Sequence, residues 1–374
     1  MDGKFALHSL PLPADAPLQQ KDIFQEHMAH VVRACRAAFP SLEAVILYGG
    51  YGRGEGSWVQ RDGRWEPYND YDITVVVRKK IAETEIDHLR KKLAIELDIR
   101  WVDLSQKYAT QLSKLKPSIY NYDLKYASAT IYGDRSLVDR IPNFDPSEIP
   151  TREILTLFVT RLWTFLGSLR RDGFKRSYEG GDAMFFRNQM AKAVLAVVDA
   201  MLVPKGLYHH SYKERVARAC ALEDVSDKTK SLLKWALLEK LTPKSPSMQG
   251  CDVERLYNDV HSLYSEVMIN ALNKHFRKDS ISLDRLPHIY TRSRDTILMR
   301  IAYPILKRTL RFERVLQVNL AQIYIYASYR PAEPICLRHL SKGVALLRRI
   351  DPGLPKNMTW DEARFNAANL RNNV

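Results

Sequence analysis

Cysteine is scarce: 4 in 374 residues, Cys35, Cys220, Cys251 and Cys336, all far apart and in no paired spacing. That pattern excludes a zinc-ligand framework and a disulfide-stapled scaffold, and it fits a reducing compartment. Also missing is any apolar run of about eighteen residues, the length that crosses a bilayer as a helix. The opening MDGKFALHSLPLPADAP has neither the basic start nor the apolar core of a secretory signal. A cytoplasmic protein with no membrane partner is therefore expected. With 45% hydrophobic residues and no internal repeat or low-complexity segment, a disordered chain is excluded, and 374 residues favour two domains.

What the chain does have is an excess of positive charge, and it is unevenly placed. The net charge is +14, yet residues 1–150 hold 20 Lys plus Arg against 21 Asp plus Glu, whereas 151–374 hold 37 against 22. A basic second half beside a neutral first half suits a polyanion or a nucleotide, and it equally suits a solvated helical surface.

The periodicity changes along with the charge. Residues 22–39 (DIFQEHMAHVVRACRAAF) carry apolar positions at helical intervals up to Pro40, and AVILYGG then reads as a buried strand opening into a tight turn. DYDITVVV predicts a second strand, AETEIDHLRKKLAIEL an amphipathic helix, LDIRWVDL a third strand and ASATIYGD a fourth. Beyond Pro142 and Pro150 nearly everything is helical in period, which places a domain boundary near 145–150 and predicts a frayed tail at NAANLRNNV. The expected fold class is α+β: a mixed sheet with flanking helices over 1–148, followed by an all-helical domain over 149–374.

Chemistry concentrates in VILYGGYGRGEG, NDYDI and LDIRW. A strand ending in Gly49 and Gly50 lets backbone amides approach an anion closely, so a phosphate cradle is a sensible reading. A flexible hairpin loop would carry the same glycines. Asp70 and Asp72 narrow the choice, because residues two apart on a strand share a face and two carboxylates held together call for a cation between them. Magnesium suits hard oxygen ligands that substrate phosphates would complete. A third carboxylate is expected from the next strand. Regular alternation puts Asp98, Arg100 and Val102 on one face and Asp103 on the other; Asp98 is preferred and Asp103 is the alternative, which a bulge would favour.

Together these residues resemble the nucleotidyltransferase superfamily that includes DNA polymerase beta, poly(A) polymerases and aminoglycoside nucleotidyltransferases. Gly49-Gly50 and Asp70-x-Asp72 match its glycine turn and Asp-x-Asp strand, Asp98-Ile99-Arg100 resembles its third acidic strand, and Arg53-Gly54-Glu55 matches an Arg-Gly-acid step common in bacterial members. The resemblance covers roughly residues 40–135 and implies a polymerase-beta-like catalytic domain. It departs from the family in the 19 residues between Gly50 and Asp70, which include Trp58 and Trp65 and suggest an inserted hairpin that could cover the nucleotide or shape an acceptor site.

The resemblance further implies a magnesium-dependent enzyme that moves a nucleotidyl group from a nucleoside triphosphate to a hydroxyl with release of pyrophosphate. AMP from ATP is the favoured case. Two Mg2+ ions would sit on Asp70, Asp72 and Asp98, which are also the implied catalytic residues, while Gly49, Gly50 and Arg53 would meet the triphosphate. From the helical half, Lys192, flanked by Ala191 and Ala193, is the residue expected to reach the β- or γ-phosphate, with Arg187 a lesser helper. GLYHHSYKER offers Tyr212 and Lys213 to a substrate. Farther on, Arg300, Lys307, Arg311 and Arg314 share one helical face, beside Arg292, Arg294 and Arg308. A small-molecule or protein hydroxyl is the expected acceptor, ahead of RNA. The reading from another class is a catalytically idle relative that binds RNA or a partner protein through the basic half.

Overall fold

Strand β1 (Leu42–Tyr48) is short, β-branched in part and buried along its last five residues, so it must pair on both edges and be covered on both faces. Both edges are paired. Strand β4 (Tyr71–Val77) lies antiparallel on one side and β6 (Ala129–Gly133) antiparallel on the other. β5 (Val102–Tyr108) then runs parallel to β4, giving a four-stranded mixed sheet in the order β5-β4-β1-β6. A parallel neighbour needs a crossover, and α3 (Glu83–Glu96) supplies it. This computed structural model describes residues 10–12, 16–68, 70–276, 281–292 and 309–372. The fold class is the α+β arrangement expected.

Two compact units divide the chain: Met1–Pro150 with Lys205–Arg218 and Lys240–Pro243, and Thr151–Pro204 with Ala219–Glu239 and Lys244–Val374. In the first, α1 (Leu18–Ala38) buries Phe24, Met28, Val31, Val32 and Cys35, a spacing of three and four that makes one stripe. With Ile86, Leu89 and Leu93 of α3 it covers the face formed by Val45, Leu47, Ile73, Val75, Val102 and Leu104. The opposite face of β4 and β5 is left with Asp72, Thr74, Asp103 and Ser105, and that is where the candidate site lies.

The residues between Gly50 and Asp70 form a hairpin, β2 (Trp58–Arg61) and β3 (Arg64–Pro67). Its two-residue loop is Asp62-Gly63, at φ 49° and 78°, the paired left-handed conformations that a type I′ turn demands. Trp58 packs edge-on against Phe24 and Tyr51 at 6.3 and 6.0 Å between centroids, and Trp65 is half-buried against the same core. Both tryptophans are thus used in fastening the hairpin.

The second unit is helical. Its helices include Glu153–Leu166, Gly180–Leu202, Gly250–Phe276, Thr309–Ser328 and Leu337–Ile350. The tail is not frayed as expected: Trp360–Asn372 is a helix, with Ala363, Arg364 and Ala367 inaccessible to solvent. Buried contacts outweigh the tail's polar composition. Arg294, Arg300, Lys307 and Arg308 of the basic stretch lie outside the described residues.

One buried group in this unit carries a pH signature. His261, 1% exposed, stacks on Tyr326 at 4.4 Å and packs against Tyr257 and Phe165. Burial pushes its pKa from 6.5 down to about 3. Between those values the unfolded chain binds a proton that the folded chain refuses, so the stability is full above pH 6.5 and is lost as pH falls toward 3. Unfolding in denaturant should therefore show a loss of roughly 3 kcal/mol between pH 7 and pH 4 from this residue. His261→Phe should remove that share of the slope; an unchanged slope would assign it to other groups.

Candidate active site

The site is built where β1 ends. Gly49 has φ +64°, a left-handed conformation, and a Cβ on it would stand 1.9 Å from Asp72 Oδ2. Glycine is needed twice over at this position, for the turn and for the carboxylate that rests against it. The short helix α2 (Gly49–Gly52) follows directly. In the sheet, Tyr48 pairs with Asp72 across the antiparallel ladder, and Asp72 pairs with Asp103 across the parallel one. A row Tyr48, Asp72, Asp103 therefore crosses three strands at the level of the glycine turn.

The electrostatics follow from that row. Asp72 is held well above the usual carboxylate range, first by burial and then by the charges of Asp70 and Asp103, with Lys240 and Arg53 acting the other way. Asp103 is also raised, by burial first and by Asp70, against a lowering from Arg90. The Tyr48 hydroxyl is pushed up by burial and then by Asp72. Asp70 and Asp103 thus both act on Asp72, and Asp70 acts on Asp103 as well. Among the described residues no three His, Cys, Asp or Glu side chains converge into a ready-made metal cage. Magnesium does not ask for one, since it keeps several waters and takes one or two carboxylates together with substrate phosphates. The donor set fits that ion.

Asp98 is not part of the row. The expectation that its strand begins at Asp98 is corrected: α3 runs to Glu96, and Asp98 is an exposed residue at φ 49° in the turn after it. Its amide donates to the Ile95 carbonyl, and that of Ile99 to Ala94, closing the helix. β5 starts only at Val102, which puts Val102 and Leu104 in the core and Asp103 on the site face.

Arg53, expected at the triphosphate, has a side chain only 4% exposed, and its donors are already engaged. Nε donates to the Gly49 carbonyl at 2.8 Å, one terminal nitrogen to Asp123 at 2.9 Å and the other to the His210 carbonyl, with the guanidinium 4.6 Å from the Tyr212 ring centroid. Glu55 accepts from Ser211 Oγ and the Tyr212 amide at 2.7 Å each and from the Lys213 amide at 3.2 Å. Beside the carboxylates, Thr74, Ser105 and Tyr120 form a hydroxyl cluster, 2.9 Å from Thr74 to Ser105 and 3.1 Å from Thr74 to Tyr120. Tyr120 stands on α4 (Ile119–Tyr126), edge-on to Tyr48.

Lys192 lies half-buried in Gly180–Leu202 of the second unit. In the same unit Arg187 is committed to buried Glu239 at 2.5 Å and packs on Trp235. Sequence reasoning missed Lys240, 7% exposed and close enough in charge to pull on Asp72, because nothing in the sequence sets it apart from Lys228, Lys230 and Lys234 of the same Asp227–Leu241 helix. It also missed Asp123. The N-terminal signal Ser-Tyr-Lys-Glu at Ser211–Glu214, where the Glu214 amide donates to Ser211 Oγ, was there to be found.

No family model matches the sequence, and no curated protein does. Solved structures do. The chain is similar to spectinomycin adenyltransferase AAD(9) from Enterococcus faecialis, solved with ATP and spectinomycin, at 12% identity and TM-score 0.42, over 65% of this chain and 98% of that one. It is also similar to a tri-AMPylated Shewanella oneidensis HEPN toxin in complex with MNT antitoxin, at 19% identity and TM-score 0.22, over 30% of this chain and 74% of that one. A third is a toxin-antitoxin solved with AMP-PNP, at 20% identity and TM-score 0.23, over 30% and 77%. Among the described residues no helix is long and apolar enough to cross a membrane.

Proposed function

We propose that this chain transfers a nucleotidyl group, AMP in the first instance, from a nucleoside triphosphate to a hydroxyl acceptor with release of pyrophosphate. The observation that carries the reading is the pairing of Asp72 with Asp103, beside Asp70, against the backbone of Gly49. Asp103 takes the place first given to Asp98. Asp70, Asp72 and Asp103 would hold Mg2+, which when bound supplies charge stabilisation for the attacking and leaving oxygens.

The chain's own part is orientation and charge. Gly49 and Gly50 present backbone to the triphosphate where no side chain intervenes. Asp103 would accept the proton of the acceptor hydroxyl as the oxygen bonds to the α-phosphorus and the bond to pyrophosphate breaks. A small molecule or a protein side chain is the acceptor class favoured over RNA.

Purified protein incubated with each labelled nucleoside triphosphate, Mg2+ and cell extract should transfer label from ATP to one acceptor, and Asp72→Asn should transfer none. Equal labelling by the parent and this variant would overturn the assignment.

A further inference from the structure

The step Arg53-Gly54-Glu55 reaches a part of the chain far away in sequence. Glu55 is 6% exposed, and both its oxygens are occupied by the start of the Tyr212–Cys220 helix: Oε1 by Ser211 Oγ and the Lys213 amide, Oε2 by the Tyr212 amide. A carboxylate at that position satisfies amides that the helix cannot, and its charge suits the positive end of the helix. Arg53 grips the same segment from the other side, through the His210 carbonyl and the Tyr212 ring. The Tyr212 ring is in turn stacked by Arg215, whose guanidinium lies 4.4 Å from its centroid. Asp123, the partner of Arg53, accepts a second bond from the Tyr208 hydroxyl at 2.9 Å. All of these residues belong to the first compact unit.

Arg53 also touches the candidate site. Its Nε holds the carbonyl of Gly49, the residue whose backbone Asp72 rests against. A continuous line of contacts therefore runs from Glu55 through Ser211, Tyr212 and His210 to Arg53, and from Arg53 to Gly49 and Asp72.

We propose that Glu55 is a positioning residue: by clamping the 211–213 amides it fixes Arg53, and through Arg53 it sets the glycine turn that receives the triphosphate. The role toward nucleotide rests on the reading of the site given above; the mechanical coupling between 211–213 and 49–53 does not. Glu55 touches no reacting atom in this account. A glutamine there keeps one acceptor oxygen and turns an NH2 toward a donor, so at least one of the three donors loses its partner. Because the lost bonds are charge-assisted and buried, the effect at the clamp should be large.

The test is hydrogen exchange on Glu55→Gln and on the milder Ser211→Ala, together with binding of Mg-ATP. In Glu55→Gln the amides of 205–218 should exchange roughly tenfold faster or more, and so should those of 49–53, although the substitution removes no bond made by the turn itself. Ser211→Ala removes one of the three donors and should show the same pattern more weakly; it keeps the test available if Glu55→Gln does not fold. Affinity for Mg-ATP should fall in step with the loosening of 49–53. Faster exchange confined to 205–218, with 49–53 and Mg-ATP affinity as in the parent, would overturn the proposal. If the parent itself binds no nucleotide, the functional reading fails, and the exchange at 49–53 still decides whether the coupling exists.

Discussion

Asp103→Asn is expected to lower nucleotidyl transfer by roughly a hundredfold or more, while Asp98→Asn leaves it within about twofold, in a rate assay with labelled triphosphate and Mg2+. The two acids are only five positions apart, yet Asp103 stands beside Asp72 in the sheet and Asp98 is an exposed turn residue. Asp72→Asn should be as severe for activity while leaving stability level or higher. The Asp72 carboxyl is raised above its ordinary 3.8 by burial and by Asp70 and Asp103. Its contribution to stability is therefore full below pH 3.8 and is lost as pH rises through the folded-state value. Asparagine imitates the protonated acid, so the metal-free variant should melt no lower than the parent at neutral pH. The parent should gain more from added Mg2+ than the variant does. A drop in melting temperature on Asp72→Asn, or equal activity of the parent and Asp103→Asn, would count against the crowded-carboxylate account.

The largest loss of stability is expected at Arg364. Its side chain is fully buried: Nε donates to Asp361 at 2.9 Å, one terminal nitrogen to the carbonyls of Leu166 and Leu169 at 3.3 and 3.0 Å, and the other to the carbonyl of Arg170. The guanidinium thus caps the end of the Glu153–Leu166 helix and satisfies carbonyls that have no partner within it. Arg364→Met keeps the bulk and removes every donor. Denaturant unfolding should show a loss of about 3–5 kcal/mol, since the carbonyls and the Asp361 carboxylate are left unpaired. Arg364→Lys should recover little of it, because a lysine cannot span four acceptors in a plane. A loss below about 1 kcal/mol in Arg364→Met would mean that water replaces the donors.

How far the sequence could be read depended on the range of the interactions. β1, β4 and β6 and the helices α1 and α3 were legible, because apolar spacing reports which face meets the core. The influence of Asp70 on Asp72 is local too, although β4 itself begins only at Tyr71. The third carboxylate was not legible. Asp98-Ile99-Arg100-Trp101 alternates like a strand, but Asp98 is spent on a left-handed helix end, a conformation that Asp tolerates better than most residues. The exposure of Ile95 and Trp101 on either side of that turn breaks the pattern that alternation assumes. Glu55 and Ser211 are 156 positions apart, and Arg53 and His210 are 157 apart. No local period carries such a pairing, so Arg53 reads as a nucleotide ligand until its partners are seen. The tail misled through composition, because Asn-rich and polar residues hide a helix whose one buried arginine anchors it.

The parallel pairing of β4 with β5 has a consequence for how such a chain can change over generations. Residues 71, 72, 73 and 74 face 102, 103, 104 and 105, a constant offset that the ladder of hydrogen bonds imposes and the intervening helix does not. Residues may be gained or lost within α3 or in the turn at Asp98, and the acid on β5 will still arrive opposite Asp72 as long as the two strands meet in the same register. A slip of one position between the strands would be ruinous, sending Asp103 into the core and Val102 or Leu104 toward the site. The linker is therefore free to drift in length while the strand is not, and distance along the chain from the glycine turn is a poor guide to where the third acid will be found.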